Sequence, residues 1–72
     1  MSLVEVFKTD VDDFEKAAAI VLNLQSFLPE SKINFDLDDC DKILRIESGR
    51  PIDITIVEHH LREIGHCASV LE

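Results

Sequence analysis

The chain has 72 residues, 46% apolar and 31% charged, with 15 acids against 7 bases and a net charge of −8. That length allows a single domain, residues 1–72, whose core hides about 60% of the surface its unfolded form exposes, and the composition is that of a globular chain. The acid excess, with no basic cluster, argues against nucleic acid and anionic membranes as partners, because Lys and Arg supply most of the affinity for both.

No apolar run approaches the roughly 20 residues of a membrane span. The start, "MSLVEVFK", lacks a basic segment followed by an apolar stretch, so no secretory signal is expected and a cytoplasmic location is. Cys40 and Cys67 form no Cys-x-x-Cys and are expected as free thiols in a reducing compartment.

"LVEVFK" alternates with period two and reads as a strand, with Val4 and Val6 on one side and Leu3, Glu5 and Phe7 on the other. "TDVDD" supplies helix-capping groups, Thr9 or Asp10 as the cap and acids at the positive end of the dipole. Phe14, Ala17, Ala18, Val21, Leu24 and Leu28 then recur at helical spacing, and Pro29 ends the helix. "KINFDLDD" alternates again, with Ile33, Phe35 and Leu37 inward. "DDCD" is polar enough for a hairpin loop, and "KILRIES" returns with Leu44 and Ile46 facing the core. After "SGRP", Asp53 or Thr55 starts a second helix, Thr55-x-x-Glu58 fitting a capping box. Its inward stripe is Val57, His60, Leu61 and Ile64, Gly65 suits the left-handed residue past its end, and "CASVL" is the last strand. The order β-α-β-β-α-β predicts an α+β ferredoxin-like sandwich, two helices on one face of a four-stranded antiparallel sheet.

The segments "INFDLDDCDKILRIES" and "VEHHLREIGHCASVL" resemble the heavy-metal-associated domain of copper chaperones and metal-transporting ATPases. That resemblance implies the same topology, with "LREIGH" leading into the last strand and His66 where the family often has an aromatic. The family's Met-x-Cys-x-x-Cys would fall at "KTDVDDF", which holds no sulfur. Soft-metal transfer through a thiolate pair is therefore not expected.

The same resemblance sets the loop after the last helix beside the loop after the first strand, and so His66 near Asp10, Asp12 and Asp13. An imidazole with one or two carboxylates, with or without the Cys67 thiolate, would suit a divalent transition metal. This Asp10, Asp12, His66 and Cys67 set is the alternative reading. No other cofactor is expected. His59 and His60, adjacent on a helix, point about 100° apart and do not chelate together. "DLDDCD" lacks the central Gly and distant Glu of a calcium loop. Only Gly49 and Gly65 are present, and Arg45, Arg50 and Arg62 adjoin no phosphate loop, so no enzyme is expected. The leading expectation is a non-catalytic binding or protein-interaction module. It would use the open sheet face, with Leu3, Phe7, Ile43 and Arg45 contacting a protein partner or forming a weak homodimer.

Overall fold

The computed structural model describes residues 3–71; the reading of the chain's start as carrying no signal lies partly outside them, at Met1 and Ser2. Six elements follow the expected order: β1 (Leu3–Thr9), α1 (Phe14–Phe27), β2 (Lys32–Asp36), β3 (Ile43–Ser48), α2 (Ile54–Glu63) and β4 (Ala68–Val70). The sheet is antiparallel in the order β2-β3-β1-β4, leaving β2 and the three-residue β4 as its edges. This is the α+β ferredoxin-like arrangement the sequence predicts.

Helix starts are set by two aspartates. Asp13 caps α1, its Oδ1 accepting from the backbone N–H of Glu15 at 2.7 Å and of Lys16 at 3.3 Å. The cap is thus neither Thr9 nor Asp10, because both are engaged elsewhere. Thr9 donates its hydroxyl to the Lys42 carbonyl and accepts from the Val11 N–H, pinning the end of β1 to the β2–β3 hairpin. Asp53 caps α2 by accepting from the Ile56 N–H at 3.2 Å, so Thr55 lies inside the helix and makes no cap.

The core joins Phe7, Val11, Ala17, Ile20, Leu24, Leu44, Ile46, Val57 and Leu61, with Ile33, Phe35 and Leu37 packed partly against it. Leu44 and Ile46 face inward as expected. Phe7 does not face the open side: it is fully buried, and its partner across the ladder is Leu44. Directly paired residues of an antiparallel ladder share a face, so Phe7 and Glu5 join Leu44 and Ile46 beneath the helices. Leu3 shares their side by period two. Val4, Val6, Lys8, Ile43 and Arg45 are left on the open face.

In α1 the buried stripe is Ala17, Ile20 and Leu24, rotated from the expected one. Phe14, expected in the core, stands 78% exposed, and Leu22 73%. No helix among the described residues is long and apolar enough to cross a membrane.

Candidate functional site

The end of α2 carries the groups named for metal. Gly65 takes φ +87°, its N–H donating to the Arg62 carbonyl at 3.1 Å while the His66 N–H reaches the Leu61 carbonyl at 2.9 Å. This paired closure turns the chain so that His66 points back over the β1–α1 loop. There Nδ1 of His66 lies 3.0 Å from Oδ1 of Asp10, and the Cys67 backbone N–H donates to that same oxygen at 3.0 Å. The Cys67 N–H, and then the imidazole, hold the Asp10 carboxyl below its ordinary pKa, against the opposing effect of burial. Asp10 thus laces the loop after β1 to the loop before β4.

Asp12 and the Cys67 thiol do not complete a ligand set there. The one group of three potential ligand atoms gathered within 4.8 Å, among the described residues, is Asp39, Cys40 and Asp41 in the hairpin loop. The expected four-residue site is therefore reduced to a two-residue contact, because Cys67 contributes its backbone and turns its side chain to solvent. The hairpin trio is itself an exposed turn, in which Asp39 Oδ1 accepts from the Asp41 N–H at 2.8 Å.

His60 sits on the α2 flank facing α1, edge-on to Phe27 with ring centroids 5.4 Å apart. Its Nε2 is buried without a hydrogen-bond partner. His59 pairs instead with Glu63, one turn on, at 3.1 Å. Of the expected contact residues, Ile43 and Arg45 do lie on the open sheet face. Ile43, however, is only 7% exposed, and Arg45 neighbours Asn34 and Val6 in the ladder. With Phe7 and Leu3 turned away, the apolar residues left there are Val4, Val6 and Ile43, set among Lys8, Arg45 and Glu47.

Broad apolar surface lies elsewhere, in a groove of about 550 Å³ between Phe27 and the Ile56–His60 side of α2 and in one along α1. Phe14, Ala17, Ala18, Val21 and Leu22 of α1, with Ile33, Asn34 and Phe35 of β2, line a shallow groove of about 520 Å³. It runs along an edge strand whose outer side pairs with nothing among the described residues. α1 carries more apolar residues than one buried stripe can use. The surplus at Phe14 and Leu22 is the sequence signal for this surface, hidden when Phe14 is counted into the stripe.

Comparison with known proteins gives no match to any protein-family model, curated protein or solved structure.

Proposed function

We propose that this chain is a non-catalytic protein-interaction module working in the cytoplasm, whose contact surface is the groove between α1 and the β2 edge. The observation that carries this reading is the exposure of Phe14 and Leu22, eight residues apart on one helix and beside an edge strand. Single exposed apolar residues are ordinary; a contiguous apolar groove beside free backbone donors and acceptors is what a partner covers. Burying either side chain contributes about 1.5–3 kcal/mol. Set against an association cost of about 4–15 kcal/mol, two such anchors plus strand hydrogen bonds suit a weak, reversible contact. The two exposed free thiols fit a reducing compartment. The resemblance to heavy-metal-associated domains, on this reading, extends to the scaffold and not to metal transfer.

The test is the double variant Phe14→Asp/Leu22→Asp. Thermal unfolding should stay close to wild type, since both side chains face solvent, while association with a second copy or with any other protein is lost. A destabilisation above about 2 kcal/mol would reassign the two residues to the core. Binding that survives the double substitution would place the contact surface elsewhere.

A further inference from the structure

The outer edge of β2 reads Lys32-Ile33-Asn34-Phe35-Asp36. Charged edge strands ordinarily resist pairing with other chains. Here the spacing of the charges resists some pairings and invites one. Laid antiparallel on itself about Asn34, the strand sets Lys32 opposite Asp36 of the other copy at both ends. Ile33 falls opposite Phe35, and Asn34 opposite Asn34. The two faces stay in phase: Lys32, Asn34 and Asp36 are exposed, while Ile33 and Phe35 lie half-buried on the helix side. A parallel, in-register pairing would instead stack Lys32 on Lys32 and Asp36 on Asp36. Neither residue forms an ion pair among the described residues, so both charges are available.

We infer that the groove's occupant is a second copy of this chain, joined by antiparallel pairing of the two β2 edges about Asn34. The inference rests on the interaction reading above and names its partner. The two sheets become one of eight strands, related by a twofold axis at Asn34. The same axis lays the two α1 helices side by side above the seam, because α1 flanks β2. Phe14 and Leu22 of each copy then cover the Ile33–Phe35 pairs, and the small, exposed Ala18 leaves room for the helices to approach. The opposite edge cannot serve in the same way, since β4 has three residues and no opposed charges. Apolar contact supplies the affinity, and the Lys32–Asp36 pairs choose direction and register.

Charge exchange tests this by sedimentation equilibrium of the full chain up to about 1 mM, the weak end of specific association. Lys32→Asp sets Asp against Asp at both ends of the seam, and Asp36→Lys sets Lys against Lys. Each should weaken the dimer about tenfold or more, from two cross-strand pairs turned repulsive. Mixing the two variants should restore association as a heterodimer, because each end is again opposite in sign. The doubly exchanged chain should dimerise by itself. Net charge alone gives a different pattern: Lys32→Asp makes the chain more acidic and would weaken association, while Asp36→Lys makes it less acidic and would strengthen it. That pattern overturns edge pairing. So does a wild type that remains monomeric throughout, whereupon the Phe14→Asp/Leu22→Asp comparison with other proteins decides the interaction reading separately. Dimerisation that survives both charge variants but not Phe14→Asp/Leu22→Asp keeps the groove and rejects the β2 seam.

Discussion

At the scale of single residues, Asp10 carries more structural responsibility than its exposure suggests. One carboxylate oxygen receives both the Cys67 N–H and the His66 ring, across 57 positions of sequence. Its pKa is lowered on folding, chiefly by the Cys67 N–H, so the native state binds that proton less readily than the unfolded chain. The contribution to stability is accordingly complete above the ordinary carboxylate range and lost as pH falls through the depressed folded value. Asp10→Ala should lower stability by about 0.5–1.5 kcal/mol at neutral pH, the usual net worth of such bonds in a partly solvated site. It should also flatten the acid limb of stability against pH, read by denaturant titration at several pH values. An acid limb as steep in the variant as in wild type would remove Asp10 from that role. Gly65→Ala meets no steric obstacle, since open space surrounds the position, but it forces a Cβ into the left-handed region. A loss of about 1 kcal/mol is expected, with the His66 and Cys67 amide resonances displaced.

Elements show what the sequence discloses and where it stops. All six and their order are legible, because the boundaries have local causes: the acids of "TDVDD" and Asp53 at helix starts, though the α1 cap falls at Asp13 rather than at Thr9 or Asp10, Pro29 and Gly65 past helix ends, and "DDCD" in the hairpin. Face assignment is harder. β1 offers apolar residues to both sides, Leu3 and Phe7 against Val4 and Val6, and Glu5 makes the side with Phe7 look exposed. Only the pairing with β3 decides, placing Phe7 on Leu44 and Glu5 on Ile46. Leu44 and Ile46 are themselves recognisable as inward, so the answer lies in combining two strands. The stripe of α1 is ambiguous for a related reason. Phe14 and Val21 fit a helical stripe, as does the one actually buried, and tertiary packing selects between them. Both reassignments carry over to the site, moving the proposed contact surface from the open sheet to the α1–β2 flank. Phe7→Ala supplies the check on the β1 assignment. A fully buried Phe should cost about 3–5 kcal/mol, enough to unfold much of a domain this small, whereas Val4→Ala should cost under about 1 kcal/mol. Similar modest losses at both positions, measured by urea unfolding, would contradict the register.

For the whole molecule, uncompensated charge is the strongest electrostatic influence. A net −8 on a chain with a radius of gyration of 11.0 Å sets like charges within a Debye length of one another at low salt. Among the described residues, the ion pairs that offset this are three: Lys8 with Asp41 at 3.8 Å and His59 with Glu63 at the surface, and the largely buried His66 with the half-exposed Asp10. Such pairs, each with a solvent-exposed partner, contribute at most about 1 kcal/mol each, and two of them require a protonated histidine for full effect. Self-repulsion should therefore outweigh local attraction, and screening should stabilise the fold. Raising sodium chloride from about 10 mM to about 150 mM shortens the Debye length from about 30 Å to 8 Å. Below the concentration at which copies associate, Tm at pH 7 should rise with it by about 4 °C, the equivalent of somewhat under 1 kcal/mol for a chain of this length. Chloride is the salt to use, because sulfate would strengthen apolar burial independently of charge. A Tm that falls with added chloride would mean that the local ion pairs, above all the Asp10–His66 contact, outweigh the field of the whole chain. The same screening lowers the repulsion between two copies, so dimerisation through β2 should also strengthen over this range. At higher salt it should level off, as the Lys32–Asp36 attractions are screened in their turn.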